Sequence, residues 1–512
     1  MLVKTYAAAL QSIHAATITI EVNVTEGAWF QLVGLPDTAV RESHERVKSA
    51  IETSGYRFCD DNVVINMSPA DLRKEGAAYD LPLAVGILAA SMQLPAESLE
   101  KVMLMGELGL DGAIKPIKGA LPIAILARKE NYRALIVPRA NAHEAAVVNN
   151  LKVYAADTLG EVCQFMLTGE GMELVEVDTR KEFYAKQEQW DVDFSDVRGQ
   201  AHVKRALEVA AAGGHNVLMV GSPGSGKSMM AKRIPGILPP LSLSESLETT
   251  MIYSVSGKLA ANTTLLTSRP FRAPHHTVSP VALVGGGTSP QPGEISLAHN
   301  GVLFLDELAE YNRSVLEVMR QPLEDRTITI ARAKYTVEYP ASFMLVAAMN
   351  PCPCGYYNHP TRECTCPPYA IQRYLSKISG PLLDRIDIQI EIVPVAFEEI
   401  SDTRMSESSS AIRKRVLKAR EIQLRRFAGE TDIHCNAQMT PALIRQYVRP
   451  NEESLQKLKS VMERFGLSAR AYDRILRVAR TIADLDGSEE VSTAHIAEAI
   501  GYRNLDRSSW GQ

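Results

Sequence analysis

Apolar and polar positions alternate along ITIEVNV, residues 18–24, so one face of an extended segment would be buried and the other wet, which predicts a strand. The short apolar runs NVVINM (62–67), VMLMGEL (102–108) and ALIVP (134–138) predict further strands. Between them the period lengthens. PDTAVRESHERVKSAIETSG (36–55) has helical spacing, with Asp37 placed as an N-cap and Gly55 as a stop. LPLAVGILAASM (81–92) and the stretch around GALPIAILARKE (119–130) predict two more helices. This pattern describes one α/β domain over residues 1–170. Residues 171–193 are polar and charge-rich and predict a linker, residues 194–395 form a second α/β unit, and residues 396–512 are amphipathic without a convincing strand and predict a helical domain.

The 512 residues exceed what one hydrophobic core usually organises, in keeping with several domains. A hydrophobic fraction of 46% and a charged fraction of 22% exclude a disordered chain. Net charge is only -5, so nucleic acid would have to be held by a local basic surface. MLVKTYAAALQSIHAATITIEV lacks the zones of a signal peptide, and polar residues interrupt every apolar run before membrane-spanning length. A cytoplasmic protein with no membrane partner is expected.

The strongest chemical signal is NVLMVGSPGSGKSMMAKRI, where an apolar strand runs into Gly221, Ser222, Pro223, Gly224, Ser225, Gly226, Lys227 and Ser228 and then into a helix. Glycines let backbone N–H groups curl around phosphates, Lys227 supplies a charge to the β and γ oxygens, and Ser228 is placed to hold Mg²⁺. ATP is the implied substrate. GVLFLDE ends a second strand with Asp306, suited to orienting the metal, and Glu307, suited to polarising the attacking water. The strand FMLVAAMN would bring Asn350 beside the γ-phosphate if it lies between the other two in the sheet.

These residues carry a resemblance. The span from Asp193 to Asp387 resembles an AAA+ ATPase of the magnesium-chelatase-like branch, also related to the MCM helicases. DVRGQ, Asp196 to Gln200, resembles the entry segment beside the adenine. GPLLDRID, Gly380 to Asp387, resembles the arginine-finger segment, which implies that Arg385 serves a neighbouring subunit's ATP and that the protein assembles as a homo-hexamer. SARAYDRILRVARTIADL resembles the sensor-2 helix, with Arg470 the first choice and Arg474 the second. TITIARAKYTVEY resembles the pore-facing hairpin of these families, which implies that Arg332 and Lys334 meet DNA phosphates in a channel; a solvated hairpin tip is the other reading. The basic run AIRKRVLKAREIQLRRF (411–427) fits either a duplex grip or a solvated connector. The roles of His275 and His276 stay open.

NPCPCGYYNHPTRECTCPP (350–368) holds four of the seven cysteines, Cys352, Cys354, Cys364 and Cys366, as two Cys-x-Cys pairs nine residues apart. In a reducing compartment such a cluster points to metal or redox chemistry. Four thiolates suit a tetrahedral structural zinc, with His359 a substitute ligand and free thiols the alternative.

Toward the front, VMLMGELGLDGAIKPIKGALPIAILARKENYRALIVPRANAHEA and RKEGAAYDLPLAVGIL resemble the proteolytic domain of Lon, a ribosomal S5-type α/β fold. Laid on Lon, the serine position holds Ala78 and the lysine position Leu121. Lys118 is nearby but has no serine to activate, so an inactive peptidase is implied. The order of Lon-like domain, AAA+ P-loop core and helical lid resembles the ComM/YifB family. That family implies an ATP-driven branch-migration motor acting on single-stranded or branched DNA. A magnesium-chelatase motor subunit and a protein-remodelling ATPase are the alternatives.

Overall fold

The computed structural model describes residues 1–27, 29–59, 61–185, 192–260, 263–287, 290–332, 335–395, 406–430, 433–465 and 467–503. Contacts divide the chain into two compact units, Met1–Gln187 with Ser242–Thr267, and Glu188–Leu241 with Ser268–Gln512.

An eight-stranded mixed sheet organises the first unit. Its order is Glu173–Val175, Lys152–Ala156, Ala134–Pro138, Val102–Leu104, Leu2–Gln11, His14–Thr25, Asn62–Ser68, Phe30–Val33. The alternation in 18–24 is realised, since Ile18, Ile20 and Val22 are fully buried. Asp37 accepts from the Val40 amide at 2.9 Å and caps a helix that breaks at Glu42, giving Thr38–Arg41 and Ser43–Thr53. Asp80–Ala90 is buried on every side, which explains why its sequence is apolar all round.

Two parts of this unit differ from the sequence pattern. Residues 173–175, inside the expected linker, pair antiparallel with 153–155, and the helix Thr179–Ala185 follows with Phe183 buried. A three-residue edge strand is too short to display a period. The helix Leu243–Ser256, which follows the P-loop helices in sequence, belongs to this first unit and packs on Ala120–Lys129.

The second unit is built on a five-stranded parallel sheet in the order Phe271–Arg272, Val302–Leu305, Met344–Met349, Val217–Gly221, Ile388–Ile392. Met344–Met349 thus lies between the strands that end in the P-loop and in Asp306, as the position of Asn350 required. The C-terminal part is helical, with Ser409–Arg426, Pro441–Tyr447, Glu452–Phe465, Ala469–Leu485 and Thr493–Gly501. Its residues Ile412, Val416, Ile475 and Ile482 share one hydrophobic core with Val217, Phe304, Val346 and Ile390 of the sheet. No helix among the described residues is long and apolar enough to cross a membrane.

Candidate functional site

The strand Val217–Gly221 is buried throughout and delivers the chain into the P-loop at the C-terminal edge of the sheet. Gly226 adopts φ +89°, a conformation that favours glycine, and starts the helix Lys227–Ala231. Lys227 Nζ donates to Gly221 O at 2.7 Å, Ser222 O at 2.9 Å and Asn350 Oδ1 at 3.3 Å. Burial lowers its pKa, while Asp306 and Glu307 oppose that shift. Ser222 Oγ and Ser225 Oγ are buried without a hydrogen-bond partner among the described residues. A buried ammonium surrounded by neutral oxygens, beside orphaned hydroxyls, suits an incoming anion with many acceptors.

Ser228 Oγ donates to Asp306 Oδ2 at 2.6 Å, and the Glu307 amide donates to Asp306 Oδ1 at 3.0 Å. Hydroxyl and carboxylate therefore stand together, an oxygen pair that fits Mg²⁺. Glu307 sits at φ +52° with its side chain 57% exposed, and its Oε2 lies 3.2 Å from His276 Nδ1. This contact gives His276 a place in the site that sequence spacing left open. The His275 ring packs at 4.1 Å from that of His276, and Tyr311 Oη donates to Pro274 O at 2.6 Å, fixing the loop that carries both. A cavity of about 460 Å³ is bordered by Gly199, Gln200, Lys204, Glu407 and Arg415, next to the segment compared above with an adenine entry.

Two hydrogen bonds thus pair Lys227 with Asn350 and Ser228 with Asp306, and the Lys227–Ser228 peptide bond sets the two pairs side by side. Neither pair brings in Arg385 or Arg470. Arg385 is 7% exposed, with Nη2 at 2.7 Å from Glu324 Oε1 and Nη1 donating to Pro381 O, a tethered state instead of an outward-pointing one. Arg470 is exposed in the first turn of Ala469–Leu485. Arg474 is paired with buried Asp387 and donates to Arg385 O at 3.3 Å. Burial by itself would raise Asp387, but Arg474 and His215 outweigh it and hold the carboxyl well below its ordinary range.

The expected hairpin forms from Thr327–Arg332 and Tyr335–Pro340, paired from Thr327↔Pro340 to Arg332↔Tyr335. Lys334 and the Arg332 side chain lie outside the described residues. In the basic helix Ser409–Arg426, several charges are structural: Arg415 pairs with Glu208 and Glu407, Arg426 with Asp484, and Arg420 donates to Ala211 O at 3.1 Å. Lys414, Lys418 and Arg425 remain as an exposed stripe with Glu421.

The four cysteines of 352–366 converge. Sγ of Cys352 lies 3.3 Å from that of Cys354 and 3.7 Å from that of Cys364, Cys354 and Cys364 are 3.6 Å apart, and all four sulfurs fall within 4.8 Å of one another. A tetrahedron with zinc–sulfur bonds of about 2.3 Å has edges of about 3.8 Å, so the cluster is compatible with a zinc site. His359 is not part of it; its Nδ1 accepts from the Thr361 and Arg362 amides at 3.2 and 3.1 Å.

In the first unit, the positions compared with a Ser–Lys dyad carry only hydrocarbon. Ala78 lies in a 3₁₀ turn and Leu121 is fully buried. The acceptor beside Leu121 is Glu144, which receives the Leu121 amide at 3.0 Å and the Ser254 hydroxyl of Leu243–Ser256. Burial raises the Glu144 carboxyl against those hydrogen bonds.

Comparison with known proteins agrees with this geometry. The family descriptions that match are magnesium chelatase, subunit ChlI, over residues 193–400; subunit ChlI of Mg-chelatase over 20–141; and the C-terminal part of magnesium chelatase subunit ChlI over 406–503. Competence protein ComM of Haemophilus influenzae is 43% identical over 505 residues, 98% of this chain and 97% of its own. The uncharacterized protein YifB of Escherichia coli is 44% identical over 497 residues, 97% of this chain and 96% of its own. Lon protease 2 of Bacillus subtilis is 26% identical over 163 residues, 30% of this chain and 29% of the protease. The AAA+ family and the ComM relative support an ATPase. Because this similarity runs through nearly all of the sequence, the chain belongs to the ComM/YifB family of magnesium-chelatase-like AAA+ proteins with a Lon-related front part.

Proposed function

We propose that this protein is an ATP-driven, ring-forming motor that moves branched DNA junctions. The observation that carries the reading is the pairing of Lys227 with Asn350 and of Ser228 with Asp306 at the ends of three adjacent parallel strands. On this reading Gly221–Ser228 enfolds the triphosphate, and Lys227 exchanges its carbonyl partners for phosphate oxygens. Ser228 and Asp306 hold Mg²⁺, which when bound neutralises phosphate charge. Glu307 accepts a proton from the attacking water, Asn350 orients the γ-phosphate, Arg470 serves as the sensor-2 arginine, and Arg385 completes the site of a neighbouring copy. Arg332 and Lys334 at the hairpin tip, with the Lys414, Lys418 and Arg425 stripe, would bind DNA phosphates without sequence preference. With Ala78 and Leu121 in place of a dyad, peptidase activity is not assigned.

DNA is preferred as the cargo because of kinship with a competence protein. The family descriptions, which name magnesium chelatase, favour a second reading as a chelatase motor. The test is ATP-dependent migration of a synthetic four-way junction, with Lys227→Ala and Glu307→Gln as controls and with protoporphyrin plus chelatase partners, or an unfolded protein, as competing cargo. Migration by wild type alone is the expected result. Junctions that stay put while ATP is consumed would overturn the DNA reading, and stimulation by one of the other cargoes would name its replacement.

A further inference from the structure

We infer that the loop from Cys352 to Cys366 is a zinc-held brace on the P-loop, so that metal occupancy sets the affinity for nucleotide; this rests on the ATP reading of Gly221–Ser228. Four sulfurs with edges of 3.3, 3.6 and 3.7 Å stand near tetrahedral spacing. Backbone amides already serve them: Cys354 N donates to Cys366 Sγ and Tyr357 N to Cys352 Sγ, each at 3.3 Å. Such donors stabilise thiolates and orient ligands. The segment has no strand or helix between Asn350 and Pro367, and of its four cysteines only Cys352 is fully buried. A loop with so little core takes its order from the metal.

The brace touches the P-loop at two points that flank the first pair of thiols. Before Cys352, Asn350 Oδ1 accepts from Lys227 at 3.3 Å. After Cys354, Gly355 turns at φ +85° with its backbone pressed on Pro223: a Cβ at 355 would fall 2.5 Å from Pro223 Cδ and 2.8 Å from Cγ. No side chain fits between loop and P-loop there. Holding Cys352 and Cys354 on one ion therefore fixes both contacts, and releasing them frees the P-loop to shift.

The experiment measures metal content by mass spectrometry and affinity for a fluorescent ATP analogue on the full chain, before and after zinc is stripped by a chelator and restored. One zinc per chain is expected, with affinity falling about tenfold on stripping and returning on addition of zinc alone. Cys364→Ser should lose both zinc and affinity. Gly355→Ala keeps all four thiols, and should keep zinc while losing affinity to a similar degree; it also serves if Cys364→Ser fails to fold. Wild-type chain without zinc overturns the metal site. Unchanged affinity in the stripped chain or in Gly355→Ala overturns the brace. A chain that carries zinc but binds no nucleotide overturns the ATP reading, and the brace with it, while the metal site stands.

Discussion

At the scale of single residues, Asp387 shows how much of this site depends on one buried charge. It follows Arg385 by two positions and is paired with Arg474, with His215 Nδ1 at 3.4 Å and the Asn216 amide donating to it at 3.2 Å. Breaking such a pair by Asp387→Asn leaves an arginine buried without its counter-charge, a loss on the order of 3–5 kcal/mol at neutral pH. Because the folded carboxyl titrates below its unfolded range, its contribution is complete above that range and is lost as the pH falls through and below it. Urea midpoints of wild type and Asp387→Asn, followed by circular dichroism, should therefore be well separated at neutral pH and converge below about pH 4. A gap independent of pH would show that Asp387 is not the ionised partner. None of this pairing was legible from the string DRID, because its partners come from His215 and Asn216, just before the strand Val217–Gly221, and from a helix at residue 474. The P-loop was legible for the opposite reason: Gly221 to Ser228 form their cradle within eight consecutive residues, and Lys227 finds two of its three acceptors inside the same loop.

At the scale of elements, the period of the pattern located helices and strands but not their partners. Leu243–Ser256 has a complete capping box at Ser242 and Glu245, but its buried positions are mostly hydroxyl residues, Ser246, Thr249, Thr250 and Ser254, so no apolar stripe marks the face that packs. The structure supplies the partners in Glu144, Leu121 and Gly119, whose amide donates to Ser254 O at 3.1 Å. Glu144→Ala would leave the Leu121 amide and the Ser254 hydroxyl buried without an acceptor, a loss of about 1–3 kcal/mol. Hydrogen exchange over 243–256 in the full chain should then accelerate roughly tenfold, with the amides of 217–221 unaffected. Equal acceleration in both segments would mean that the inserted helix is not held by this carboxylate. Leu2–Gln11 makes the same point from the other side. Its alanines give it little strand signal, yet it pairs along its whole length with His14–Thr25 and lies in the middle of the sheet.

At the scale of the whole molecule, the ATP site proposed here is incomplete in one chain. Lys227 is bonded to Asn350 and Ser228 to Asp306, while Arg385 is tied to Glu324 and bonded to none of the four. Glu324 is half-exposed but Arg385 is buried, so releasing the arginine gives up a partly buried ion pair together with its hydrogen bond to Pro381 O. An arginine that stabilises the transferring phosphoryl group accelerates turnover by about 10³–10⁵, so releasing Arg385 to a neighbouring site would be strongly favoured in function. This separates the two defects by subunit. Arg385→Ala should bind the ATP analogue as wild type does and yet turn over at least about a hundredfold more slowly. Lys227→Ala should fail to bind but still carry an intact Arg385. Mixing the two inactive variants should therefore restore measurable phosphate release, because an intact P-loop in one copy meets an intact arginine in the next. If Arg385 instead worked on its own chain's nucleotide, no mixture would recover activity, since every subunit would lack one essential group. The same titration, read as activity against the fraction of each variant, reports how many neighbours must cooperate, which sequence could imply only through resemblance.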